Sequence, residues 1–268
     1  MKAVTAASTS WADAAGALAA PFFDGVRPLL RELNGESWPA LDQLNDLAMR
    51  RQVANARGVP IRFVPPSNEG VGAMQYETQI AGTGEVPTRT NWHDLFNALQ
   101  WLAYPRLKSA INSQHARLLV TGGAAEAASR SAPRDVLTMF DESGVIVACD
   151  DIALLELIRR FQWRELFVGR REEAMANMHF VLIGHGLLEK SLAPFIGMTA
   201  KAMLLHGDAH SAALDLAAAE WLMDETHIAD SHQLAPLPLL GIPGWDARNE
   251  VAAFYDNADY FRPGRRSR

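Results

Sequence analysis

The chain has 268 residues, of which 49% are hydrophobic and 21% charged, with a formal charge of −6 and a pI near 5.8. That size and balance fit one large globular domain or two small ones, and the acidic excess argues against broad nucleic-acid or membrane-surface binding. No segment reaches the roughly 18 uninterrupted apolar residues of a membrane helix, and with Cys149 as the only cysteine no intrachain disulfide forms, so a reducing, cytoplasmic setting is expected.

Residues 1–20, rich in Ala, Ser and Thr, are expected to be loosely ordered, residues 21–262 to form a single globular domain, and residues 263–268 to be a basic tail. A first helix is expected after Ser37, with Pro39 in its first turn, Leu41, Leu44 and Leu47 on one side, and Gly58 at its end. PIRFV at 60–64 reads as a short strand, and residues 75–80 alternate as a second. The loop 81–90 holds Gly82 and Gly84 but is no phosphate loop, because Pro87 stands where G-x-G-x-x-G needs its third glycine.

A helix is expected over 91–104, capped by Thr90 or Asn91, and Pro105 interrupts it or opens another over 105–120. LTMF, a DESG turn and VIVAC read as a hairpin over 136–149. Cys149 ends that apolar run and reads as a buried strand residue rather than a nucleophile. Helices follow at 151–160 and 161–178, a strand at 179–183 feeding a helix at 184–192, a strand at 201–205 and a helix at 211–223. The Pro- and Gly-rich PLPLLGIPGW after Ala235 is expected to wrap the surface. The class is α+β: a helix-rich single domain whose several short strands form a small mixed or antiparallel sheet.

The helix at 91–104 is the most informative element. Trp92, Leu95, Phe96, Leu99, Leu102 and Ala103 form an apolar stripe at helical spacing. The other face carries His93, Asn97, Gln100 and Tyr104, with Asp94 and Trp101 beside it, where a solvated face would show Lys and Glu. Such a face is expected to lie against a cleft, a partner or a second layer.

Four constellations can carry chemistry. The first is Glu77, Arg89, His93, Asp94 and Asn97; a histidine near a helix start is disfavoured in its charged form and can act as base or metal ligand. It competes with a plain reading as a capped helix start with an Arg–Glu pair. The second is His179, His185 and Glu189, with the last two at i, i+4 on one helix edge; an ordinary intrahelical hydrogen bond is the alternative. The third, His206-Gly-Asp-Ala-His210, offers metal-ligand types but reads better as a turn and helix cap. The fourth, Arg134-Asp135 with Asp141-Glu142-Ser143-Gly144, reads chiefly as turn chemistry, although Asp135 is placed to reach His93 or His185. No G-x-S-x-G elbow exists.

The segments NWHDLFNALQWLAYPRLKSAIN, RDVLTMFDESGVIV, GHGLLEK with APF, PLPLLGIPGW and FYDNADYFRPGR occur in this order between about Trp38 and Arg266. Together they resemble the bacterial family of unknown function DUF3025. The resemblance implies a soluble bacterial protein whose recurrent polar residues include His93, Asp94, Asn97, Arg134, Asp135, Asp141, His185 and Glu189. It implies no activity.

Two functional expectations follow. In the first, a hydrolase-type site is built from the starts of the 91–104 and 184–192 helices. His93 or His185 serves as general base or metal ligand, Asp94, Asn97, Asp135 or Glu189 supports it, and Arg89 or Arg134 holds an anionic substrate group. The cofactor is left open, with a divalent metal among the options. In the second, a non-catalytic binding or assembly protein uses Trp92, Trp101, Tyr104 and the 236–245 segment with Trp245 as anchor. Nucleic-acid binding through Arg106, Lys108, Arg117 and the arginine tail is disfavoured by the net charge. Membrane association is not expected, partners are otherwise open, and a homo-oligomer is compatible with the sequence. Residues alone do not decide between enzyme and binder.

Overall fold

A computed structural model describes residues 10–33, 35, 37–67, 73–128, 131–207 and 211–264. Strand β3 (Gly144–Cys149) is buried along its whole length and organises the domain. It pairs antiparallel with β4 (His179–Leu182) and parallel with β5 (Thr199–His206), and β5 pairs antiparallel with β6 (Ala235–Pro238). The sheet is therefore mixed, in the order β4-β3-β5-β6. A separate parallel pair joins β1 (Arg62–Val64) to β2 (Glu85–Pro87). This is the expected α+β class.

Strand alternation divides the core. Val145, Val147 and Cys149 enter one apolar cluster and Ile146 and Ala148 the other, as a period of two requires when both sheet faces are covered. The second cluster is closed by α5 (Pro105–Ala128, kinked at Gly123), α6 (Ala132–Ser143) and α10 (Ser211–Met223). Asp215 of α10 accepts from the backbone N–H groups of Arg106 (3.0 Å) and Leu107 (2.9 Å), so α5 is capped from a distant helix. The first cluster is closed by α1 (Arg27–Glu32), α2 (Leu41–Arg50), α4 (Trp92–Ala103), α7 (Ile152–Arg159) and the C-terminal segment. Helix α4 is buried on nearly every side, which answers the question its polar face posed.

Several expectations are corrected. Residues 75–80 lie in a helix, α3 (Ala73–Thr83), where Tyr76 and Ile80 share a face at i, i+4. The 136–149 hairpin is instead α6 running directly into β3. The overlooked signals are Ser131 at the N-cap position and Pro133 in the first turn, which start a helix that continues through DES. Helix α2 begins after Ala40, whose N–H donates to Gln43 Oε1 (2.9 Å), and it ends at Arg50, well before Gly58. The expected 161–178 helix is divided into a π-helical turn over Glu165–Gly169 and α8 (Arg171–Asn177).

Segment 236–245 does not simply wrap the surface, because Leu237, Leu239, Leu240 and Ile242 are core residues. Trp92, Trp101 and Tyr104, read as interface aromatics, are likewise buried, and Trp245 is half-buried against Phe22. Residues 10–20 are short turns rather than loose chain: Trp11 stacks on Trp92 at 5.4 Å and donates to Gly35 O, while Ala14 is fully buried. Residues 1–9 and Arg265, Arg266 and Arg268 lie outside the described residues. Among the described residues no helix is long and apolar enough to cross a membrane.

Candidate functional site

Beside the start of β3, five helices surround a cavity of about 530 Å³ lined by Tyr76, Glu77, Arg89, His93, Asp94, Asn97, His115, Arg134, Thr138, Asp141, Glu142 and His185 among others. Its floor is set by a close approach between the end of α6 and the start of α9 (His185–Lys190). At Gly184 a Cβ would lie 2.5 Å from the backbone of Ser143, and at Gly186 one would lie 2.3 Å from Glu142 Oε2. Glycine on both sides of His185 is what lets α9 meet α6 this tightly.

Helix α4 supplies the facing wall. Asn91 caps it by accepting from Asp94 N–H (2.8 Å). Asp94 in turn takes a fork from Arg89, whose Nε and Nη2 donate at 2.8 and 3.0 Å and whose backbone N–H donates at 2.7 Å. Asp94 is thus committed to Arg89 and not to an imidazole.

His93 and His185 come together with ring centroids 4.5 Å apart. His93 Nδ1 is 3.1 Å from Glu189 Oε2; a carboxylate accepting there leaves Nε2 facing Glu142 Oε1 at 4.0 Å. His185 Nε2 faces the same oxygen at 3.6 Å, and its Nδ1 lies 3.7 Å from Asp141 Oδ2. The i, i+4 spacing does put His185 and Glu189 on one side of α9, but Glu189 serves the histidine of α4 rather than its own helix neighbour.

A polar chain continues inward. Lys108, with its side chain only 4% exposed, donates to Asp141 and to Asn97 Oδ1 (2.8 Å), and Asn97 Nδ2 donates to the Tyr76 hydroxyl (2.8 Å). One turn further along α5, Asn112 Nδ2 donates to Oε2 (2.7 Å) and O (2.9 Å) of Glu77, the residue after Tyr76.

Burial governs the electrostatics. It pushes His185 down to about 4, so the ring is neutral at pH 7 despite Asp141 beside it. Burial lifts Glu77 to about 7 and raises Glu142 and the Tyr76 phenol. It would raise Asp141 too, but the Lys108 ammonium and His185 outweigh it and hold that carboxyl below its usual range.

Of the residues singled out in the sequence, His93, Asp94, Asn97, His185, Arg89 and Arg134 line this cavity, and Glu189 touches it through His93. Asp135 does not. Its helix turns Arg134, Thr138 and Asp141 inward and leaves Asp135 exposed, facing an adjoining depression with Asp230 and Ser231. His179 is exposed at the opposite end of β4, paired with Ala148. His206 is exposed, its Nε2 3.1 Å from Asp150 O, and Asp208 and His210 lie outside the described residues. Asp141 and Glu142, read in the sequence chiefly as turn formers, also line the cavity, and so does Tyr76, which the sequence did not single out, with Lys108 bonded to Asp141 behind the wall.

An α+β domain with an internal polar cavity is the class that fold and site define. Residues 61–265 match the family described as a protein of unknown function, DUF3025, and the chain belongs to that family. The matched span contains every residue that lines the cavity. No curated protein and no solved structure matches the chain.

Proposed function

We propose that this protein is a hydrolase-type enzyme acting on a small molecule held between α3, α4, α5, α6 and α9. The observation that carries the reading is the convergence of His93 and His185, from separate helices, with Glu142 and Glu189 at the floor of one cavity. A volume of about 530 Å³ suits a small ligand.

In this reading His93 is held by Glu189 through Nδ1 and offers Nε2 as general base toward water. Tyr76, kept protonated by burial, supplies an O–H for a developing oxyanion. Arg134, buried in the wall, and Arg89 at the mouth favour an anionic substrate group. A cytosolic location belongs to the same reading, supported by the single buried cysteine.

The test is a panel of chromogenic carboxylic esters, phosphate esters and amides. One class should be turned over, and His93→Ala should lower kcat/KM by about 100-fold or more without moving the unfolding midpoint far. A wild-type chain no faster than His93→Ala on every class would overturn the reading.

A further inference from the structure

We infer that His93, His185 and Glu142 bind a divalent transition-metal ion, and that Glu189 and Asp141 orient the two imidazoles from behind. The three side chains come from three helices, and their ligand atoms all lie within 4.8 Å of one another. Both Nε2 atoms face the same Glu142 oxygen, at 3.6 and 4.0 Å. These separations are too long for hydrogen bonds. They are close to the spacing of about 3.3–3.5 Å between donors that sit about 2.0–2.2 Å from a tetrahedral ion. Closure around an ion therefore draws both imidazoles toward Glu142 and toward each other, from separations that all lie within 4.8 Å.

A second observation points to a ligand. The His185 side chain is 8% exposed, and its Nε2 faces the Glu142 oxygen at 3.6 Å, beyond hydrogen-bond distance. A buried imidazole nitrogen without a close partner is costly; an ion at Nε2 gives it one. Each imidazole is also backed on its Nδ1 side by a carboxylate, Glu189 for His93 and Asp141 for His185. Carboxylate behind histidine is the usual outer shell of a metal-bound imidazole.

Charge points the same way. Three carboxylates lie within 4.0 Å of the two rings, and Lys108 is bonded to one of them, Asp141. A divalent ion adds positive charge beside the other two. Two histidines and one glutamate suit Zn²⁺ or a neighbouring first-row ion, and leave a position open to the cavity. With the ion bound, His93 Nε2 is a ligand and the ion takes over from it the activation of water; that role rests on the hydrolase reading, and the ion's binding does not.

Chelator-treated full-length chain should be titrated with Zn²⁺ by calorimetry and with Co²⁺ by visible absorption, with elemental analysis of the product. The expected result is one ion per chain with a Kd below about 1 μM. Affinity should fall by about 100-fold or more in Glu142→Gln and His93→Gln, and by about 10–100-fold in Glu189→Gln. Asp135→Ala should be unchanged. Circular dichroism of each variant identifies any that fail to fold, and His93→Gln, at the half-buried member, guards against loss of the buried one. No stoichiometric uptake, or uptake undiminished in folded Glu142→Gln, overturns the inference. A chain that binds the ion but hydrolyses nothing keeps the metal site and loses the hydrolase reading. Hydrolysis that survives chelation with a flat Zn²⁺ titration does the reverse.

Discussion

His93 and His185 in the cavity, and His227 and His232 beside the β5–β6 edge, make two histidine pairs of different construction. The second pair lines a depression of about 310 Å³ with Arg159, Phe161 and Trp221. There His227 Nδ1 donates to Trp221 O (2.9 Å) and its ring stacks on the same tryptophan at 4.4 Å. His232, 68% exposed, lies 3.9 Å from Asp230, two residues away. Both contacts are made within a few residues and amount to turn chemistry. In the cavity every partner arrives from another helix: Glu189 for His93, Asp141 for His185, and Lys108 for Asp141. Distant elements hold these groups in place before any ligand arrives, which is what a preorganised site requires.

The strongest way to break the contrast is to remove Lys108. Lys108→Met leaves Asp141 in the protein without its ammonium, beside Glu142. Breaking a buried pair from one side typically costs about 3–5 kcal/mol. Urea denaturation should show a loss of that order, and Lys108→Met with Asp141→Asn should recover part of it. A loss below about 1 kcal/mol would place the cavity with the solvated depression rather than against it.

Glu77 sharpens the comparison through pH. Its folded carboxyl titrates at about 7 against an ordinary 4.5, raised by burial despite the Asn112 hydrogen bond and the nearby Lys108 and Arg134. The folded chain therefore keeps a proton that the unfolded chain releases. Stability from this group is full below about pH 4.5 and is lost as pH rises through about 7. Glu77→Gln should stabilise the chain by on the order of 2–3 kcal/mol near pH 8 and by little near pH 4. Denaturation at the two pH values measures the difference; equal effects at both would mean the carboxyl is freely solvated.

The sequence carried one wall of the cavity and concealed the other. Helix α4, its cap at Thr90 or Asn91 and its unsolvated polar face could be read from residue spacing, and the same reasoning selected His93, His185 and Glu189. Asp141 and Glu142 were hidden because Asp-Glu-Ser-Gly has turn composition, and the helix that carries them announces itself ten residues earlier, at Ser131 and Pro133. Lys108 was hidden because a lone lysine on a helix reads as solvated, and its carboxylate is 33 residues away. The buried leucines of 236–245 were hidden by prolines and glycines that signal loop without signalling depth. Gly184-His185-Gly186 was the unread clue: two glycines around a histidine mark backbone approach more specifically than the histidine marks chemistry.

Those glycines separate fold from site. Alanine at 184 puts its Cβ 2.5 Å from the Ser143 backbone, which cannot swing aside, so a loss of about 1–3 kcal/mol is expected. Alanine at 186 meets the end of the Glu142 side chain at 2.3 Å, which can turn away. Gly186→Ala should therefore cost less stability than Gly184→Ala while weakening Zn²⁺ binding more per unit of stability lost. Calorimetry and urea denaturation on both variants decide it; equal ratios would show that the α6–α9 contact serves packing alone.

The smallest effect is expected in the other pair. His232→Ala removes a ring 68% exposed whose acidic neighbour is 3.9 Å away. Solvent screens that contact, and exposed substitutions of this kind usually fall within about 0.5 kcal/mol of wild type. The unfolding midpoint and Zn²⁺ affinity should both stay at wild-type values. A loss of Zn²⁺ affinity in His232→Ala would show that an exposed histidine outside the cavity can serve as a ligand, and long-range preorganisation would then no longer distinguish the cavity.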